Sequence, residues 1–163
     1  MTEFEIFCLI FAIIITIIVK IDQFLDLDKK NNSVSAKKSK QLTWINISSI
    51  DGMEGQKFEY FCADLLRDHG FTNVEVTPGS GDQGVDIIAT KDDIRYAIQC
   101  KNYTSRLGNT PIQQVHAGKS FYNCHVGVVM TNSTFTSGAI SLAEATGTLL
   151  WDRTTIHQMM RNY

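Results

Sequence analysis

Residues 84–101 read GVDIIATKDDIRYAIQCK, and this stretch decides how the rest of the chain is arranged. Two apolar runs flank consecutive aspartates, Asp92 and Asp93, a turn pair between two strands. A hairpin centred between them sets Lys91 against Ile94 and, five steps outward, Asp86 against Gln99. Residues directly opposite share a face, and Lys101, two beyond Gln99, shares it as well. A carboxylate, an amide and an amine therefore converge on one side of a sheet. The inference depends on register, because a slip of one residue turns Asp86 to the other face.

Outward from the hairpin, residues 53–69 place Phe58, Phe61, Cys62, Leu65, Leu66 and His69 on one helical stripe. Asp51 and Glu54 stand there in capping-box spacing, and Gly70 follows the end. Strands are expected at 71–77, 85–91 and 94–103, then a helix from Asn109 or Thr110 to Tyr122 with Pro111 near its start. A short apolar strand at 125–130, a helix at 136–146, a strand at 149–151 and a helix at 154–162 complete the pattern. Consecutive strands imply hairpins, and strands separated by helices imply parallel crossovers. The fold class is α/β, a mixed sheet flanked by helices.

Single polar residues in strands are often solvated, and Lys101 could snorkel. In the apolar contexts GVDIIA and AIQCK, however, an unpaired charge costs several kcal/mol. Asp86 and the Gln99 carbonyl are hard oxygen ligands that suit Mg²⁺, which keeps several waters and takes one or two carboxylates beside phosphate oxygens. Lys101 next to such an ion can hold or deprotonate water and offset charge on a phosphorane-like transition state. These are the minimum parts for hydrolysing a phosphodiester. Glu59 borders the apolar stripe beside Cys62 and Leu66 and is the candidate further acid, with Glu54 as the fallback.

The combination resembles the Mrr-type restriction endonuclease domain, the type IV restriction family within the PD-(D/E)xK nucleases. The likeness runs over most of residues 53–157, through GSGDQGVDIIA at 79–89, IQCKNY at 98–103, VMTNSTFTSGAISLA at 129–143 and LLWDRTTI at 149–156. It implies a restriction-endonuclease-like sheet, Asp86 as first metal ligand, Gln99 in the usual acid position, Lys101 as catalytic lysine and Glu59 as the helix glutamate. Mg²⁺ is the expected cofactor, with Mn²⁺ as a substitute, and DNA the expected substrate. Asp82 looks like a family-pattern residue that holds the loop backbone or lies close to the metal. Thr131, Asn132 and Ser133, with Thr134, end a strand and open a helix, a geometry suited to a DNA phosphate. Gln113, Gln114 and Lys119 are weaker DNA-contact candidates, and His116, His125 and His157 show no metal spacing.

The chain has 163 residues, a formal net charge of −2 and 44% hydrophobic residues, enough for one domain with a real core and an appendage. Four cysteines without a CxxC pair exclude a disulfide scaffold or zinc ribbon. At the front, IFCLIFAIIITIIV at 6–19 has Thr16 as its only conventionally polar member. Extended to residues 4–21 it is long enough to span a bilayer. Glu3 and Glu5 precede it where a cleaved signal would carry Lys or Arg, so a retained anchor is expected. Lys20, Lys29, Lys30, Lys37, Lys38 and Lys40 follow, and the positive-inside rule places what comes after in the cytoplasm. The expected organisation is an anchor helix at 1–22, a polar tether at 23–45 and a catalytic domain at 46–163, single-pass in the inner membrane.

Residues 51–163 carry nine basic and twelve acidic side chains, so weak DNA affinity is expected unless Lys101, Arg106 and Lys119 form a strip or the protein forms a homodimer. No DNA-reading module is visible in the sequence. A non-catalytic, membrane-anchored module that binds DNA or a partner through the same fold is the competing reading.

Overall fold

The computed structural model of the chain describes Lys20, residues 47–79 and residues 81–161. The expected anchor and tether, apart from Lys20, lie outside the described residues. Among the described residues no helix is long and apolar enough to cross a membrane.

A short helix α1 (Ile47–Ile50) precedes α2 (Gly55–Asp68), then β1 (Thr72–Val76), β2 (Ile87–Lys91), β3 (Ile94–Lys101), α3 (Thr110–Phe121), β4 (Val126–Thr131), α4 (Ser137–Thr146), β5 (Leu149–Trp151) and α5 (Arg153–Arg161). Their sequence order is also their order across one five-stranded sheet. β1, β2 and β3 pair antiparallel, and β4 and β5 continue in parallel, each reached through a helix. This is the mixed sheet that the alternation of elements implies.

The hairpin register is the expected one, with Lys91 against Ile94 and Ile87 against Ile98. Its turn aspartates take positive φ, 50° at Asp92 and 62° at Asp93, the two-residue geometry whose twist matches the flanking strands. β2 begins at Ile87, one residue past Asp86, yet the Asp86 N–H still donates to the Ile98 carbonyl at 2.8 Å. Asp86 thus stays bonded to β3, and its carboxylate meets the Gln99 side chain.

Successive β3 residues serve different layers. Ala97 joins Val85, Ile112, Val115, Val129 and Ala139 in a core cluster beneath α3 and α4. Cys100 turns to Cys62 of α2. The core therefore sits on both faces of the sheet, and the cysteines Cys62, Cys100 and Cys124 are buried free thiols within it.

One helix start differs from expectation. The capping box of Asp51 and Glu54 does not form: α2 begins at Gly55 with Glu54 as its N-cap and no side-chain cap bond. The Asp51 carboxylate instead receives both arms of Arg153, at 2.5 and 3.0 Å, and the Asn132 amide at 3.0 Å. A bidentate guanidinium outcompetes a single backbone N–H for that carboxylate, and it holds the Asp51 carboxyl below the usual range, with Asn132 adding to the effect. α4 begins at Ser137, where the helix at 136–146 is expected, capped by the Thr136 hydroxyl, which accepts from the Ala139 N–H.

Candidate active site

The strand end that carries Asp86 is positioned by a turn. The Asp82 carboxylate accepts the Gly84 N–H at 2.9 Å, and the Asp82 carbonyl accepts the Val85 N–H at 3.0 Å, an Asx-type turn. Gly84 sits at φ +76°, and a Cβ there would lie 2.6 Å from the Gln114 Cβ. The loop is thus pressed against α3 with no room for a side chain. Asp82 holds the loop backbone and, with Asp86 and Glu59, contributes to one field of negative charge.

Asp86 is 6% exposed and Gln99 2% exposed. Asp86 Oδ2 accepts two hydrogen bonds, one from Gln99 Nε2 at 2.5 Å and one from the Cys100 N–H at 2.6 Å. Burial raises the Asp86 carboxyl above its ordinary value, and the Cys100 N–H, Lys101 and Gln99 pull it partly back. Glu59, on α2, is raised first by burial, then by Asp86, and lowered by Lys101. The structure therefore brings Asp86, Gln99, Lys101 and Glu59 into one electrostatic neighbourhood. Among the described residues Gln99 Oε1 is buried without a hydrogen-bond partner, a costly state for a carbonyl oxygen.

Lys101 opens onto a cleft of about 380 Å³, bordered also by Tyr103, Arg106, Thr110 and Gln114. A second cleft of about 300 Å³ lies between Tyr103, Asn132, Thr134 and Arg153. Lys101 and Thr131 are register partners in the parallel pair of β3 and β4, so both clefts sit at the C-terminal ends of these strands. Ligands in open α/β sheets are commonly found at that end.

The remaining sequence candidates divide. Thr131 is fully buried, donating to the Lys101 carbonyl at 2.6 Å and accepting the Ser133 N–H. Asn132, 4% exposed, accepts the Tyr103 N–H at 2.8 Å and donates to Asp51. Ser133 donates to the Ser105 carbonyl at 2.8 Å. These three side chains are engaged in holding the loop that follows Lys101. Gln113 is exposed on α3. Lys119 lies over Gly127, partner of Ala97, four residues and about 13 Å down the strands from Lys101. It does not join a strip with Lys101 and Arg106. Asn132→Ala removes both bonds and is expected to cost about 1–3 kcal/mol, read as a lower denaturation midpoint at unchanged slope.

Sequence reasoning missed Tyr103 and Asn102. The Asn102 amide donates to the carbonyls of Ile50 and Met53 at 2.9 and 2.8 Å. The polar run KNYTSR after a buried strand was the available signal, though it is indistinguishable there from an ordinary surface loop.

A mixed sheet with helices on both faces and a buried acid–amide pair beside a lysine is an arrangement found in restriction-endonuclease folds. Residues 50–160 match the Mrr_cat family model, described as restriction endonuclease, and the chain belongs to that family. Among solved structures it is similar to a protein of unknown function, AF1548, at 24% identity and TM-score 0.53, covering 61% of this chain and 58% of that one. It is also similar to the DNA modification-dependent restriction endonuclease AspBHI, at 17% identity and TM-score 0.54, covering 77% of this chain and 35% of that one. A third is the MspJI restriction endonuclease in complex with a 27-mer oligonucleotide, at 18% identity and TM-score 0.47, covering 78% and 31%. The chain thus spans under two thirds of each of these proteins. No curated protein matches it.

Proposed function

We propose that this chain is a divalent-metal-dependent DNA endonuclease that hydrolyses phosphodiester bonds, restricting foreign or modified DNA from the cytoplasmic side of a membrane to which residues 1–22 anchor it. The observation that carries the reading is the unpartnered Gln99 Oε1, buried beside the Asp86 carboxylate. A carbonyl oxygen without a donor, next to a carboxylate that burial has made costly to ionise, is a site that gains from a hard cation. Among the described residues no group of three or more His, Cys, Asp or Glu could hold a metal. The proposed donors, two carboxylates and an amide, are all oxygens, a set suited to Mg²⁺ or Mn²⁺ and not to a zinc cage.

Asp86 and Gln99 would hold the ion, with Glu59 beside them. When bound, the ion supplies a Lewis acid for the phosphoryl oxygens and lowers the pKa of a water. The chain's own groups do the rest. The Cys100 N–H and Gln99 Nε2 fix the Asp86 carboxylate through Oδ2. Lys101, at the mouth of the cleft, orients water and offsets negative charge on the transferring phosphoryl group. The Thr131 hydroxyl bonds the Lys101 carbonyl and fixes the backbone that presents the amine. With a net negative charge on residues 51–163 each DNA surface is weak, and a homodimer would pool two of them.

The test is cleavage of duplex, single-stranded and branched DNA, methylated and unmethylated, by the full-length chain with Mg²⁺, Mn²⁺ or chelator. Metal-dependent cutting is expected. Absence of cutting on every substrate, together with unaltered DNA binding, would establish the non-catalytic module instead.

The raised carboxyls also set a pH signature. A group whose folded pKa lies above its unfolded value stabilises the fold at low pH and loses that contribution as pH rises through the folded pKa. Asp86 and Glu59 should therefore make the metal-free chain less stable from about pH 4 upward. Asp51 is lowered and runs the opposite way, but its partly exposed pair with Arg153 is screened and weak. Thermal melts across this range in chelator should show the decline, and Mg²⁺ should reverse it by binding the folded state. A stability that climbs with pH in chelator would contradict the assignment.

A further inference from the structure

Tyr103 stands between the two clefts and borders both. It is 53% exposed, and among the described residues its ring stacks on no other aromatic group and its hydroxyl bonds to nothing. Exposed aromatic residues on loops are ordinarily mobile, but the backbone here is fastened. The Tyr103 N–H donates to Asn132 Oδ1 and the Leu107 N–H to the Thr134 carbonyl, each at 2.8 Å. Arg106 Nη2 donates to the Phe135 carbonyl at 2.6 Å, and the Thr136 N–H returns to the Leu107 carbonyl at 2.9 Å. The loop is held along its length by residues 132–136, so the ring projects from a rigid base.

The clefts on either side differ in charge. The first holds two cations, Lys101 and Arg106, and no acid among its lining residues. In the second, Arg153 is already neutralised by Asp51. The domain is net negative, so the first cleft is where a phosphate is drawn. Gln114 and Thr110 on its α3 wall offer an amide and a hydroxyl, groups able to bond a base edge. An aromatic face, two cations and an amide at the mouth of a phosphodiester-cleaving centre together match one nucleotide.

We infer that Tyr103 is a nucleotide-stacking residue and that the cleft between it and Gln114 takes the nucleotide adjoining the scissile phosphate, so that the favoured substrate is DNA unpaired at that point. The inference rests on the nuclease reading above and names its substrate class. In an intact duplex both faces of each base are covered by neighbours and its edge by its partner. Tyr103 can gain a base only where the step is already open, or by opening it at the cost of unstacking. Single-stranded, gapped or distorted DNA avoids that cost.

The experiment measures binding without catalysis. A short thymidine strand carrying one 2-aminopurine is titrated with the full-length chain in chelator, alone and annealed to its complement, and stacking is read as quenching of the 2-aminopurine fluorescence. The expected results are quenching with the single strand and a single-strand over duplex affinity ratio that falls roughly 5- to 150-fold in Tyr103→Ala, the range for one stacked base. Tyr103→Phe, which keeps the ring and loses only the hydroxyl, should restore both. An unchanged ratio in Tyr103→Ala, or failure of Tyr103→Phe to restore it, would overturn the inference, and tighter binding of the matching RNA strand would overturn its assignment to DNA. Because the readout needs no hydrolysis, it stands or falls separately from the loss of cleavage on which the nuclease reading depends.

Discussion

Asp86→Asn and Lys101→Ala, made separately in the full-length chain, are each expected to lower metal-supported DNA cleavage by about 10³-fold, the scale for removing one group that stabilises a transition state in a water-poor site. The two losses should differ in character. Lys101 is half-buried and among the described residues no hydrogen bond of its amine holds the fold together, so Lys101→Ala should leave metal binding largely intact and act on the rate alone. Asp86→Asn should abolish metal binding, because the amide cannot replace the charge of the carboxylate. It should also stabilise the metal-free fold. Asp86 is buried and its carboxyl is pushed up by desolvation, whereas the oxygen of an asparagine amide at this position could still accept the Cys100 N–H without a charge to desolvate. A rise in melting temperature of about 2–8 °C in chelator is expected. A variant that is dead, more heat-stable and no longer shifted by Mg²⁺ identifies a site where stability is given up for chemistry. A variant that still cuts at the parent rate would sink the proposed function.

The second large effect is expected at a residue that touches neither metal nor DNA. Gly118 lies on α3 where a Cβ would run into the Gln83 carbonyl and come within 2.7 Å of the Val85 Cγ2. The first of these is backbone and cannot rotate away. Gly118→Ala must therefore push the loop off the helix, and that loop leads directly into Asp86. Overpacking of this kind costs about 1–3 kcal/mol, so Gly118→Ala should lower the denaturation midpoint and reduce cleavage together. Gly127→Ala is the control, since its added Cβ would meet neighbours no closer than 3.6 Å, an ordinary contact. Equal, small effects of the two substitutions would show that the loop is not seated against α3 as described.

The parts of the molecule legible in the sequence were those governed by local rules. The aspartate turn and the alternation on either side set the hairpin register, and with it the pairing of Asp86 with Gln99. Helix and strand order followed from changes in period. What could not be read were side chains whose partners lie far along the chain. Asp51 had a local rule in its favour, the capping box, and lost to Arg153, which nothing in the neighbouring sequence announces. Asn132 and Thr131 read as phosphate ligands because polar residues after a buried strand look alike whether they face solvent or prop a loop. In the structure both are buried and bonded within the protein. Glu59 fell on the border of a helical stripe, where the wheel alone left a solvated residue and a site residue equally open.

The fastening of residues 50–53 also determines where the working unit begins. The carbonyls of Ile50 and Met53 accept from Asn102, the residue after Lys101, while Asp51 is held by Asn132 and Arg153. A fragment cut at the start of α2 would keep every strand of the sheet and every residue of the proposed metal site. It would nonetheless lose the two carbonyls that hold Asn102 and the carboxylate that holds Asn132 and Arg153. The natural border of the unit is therefore drawn by hydrogen bonds reaching back across the chain, several residues ahead of the first long helix.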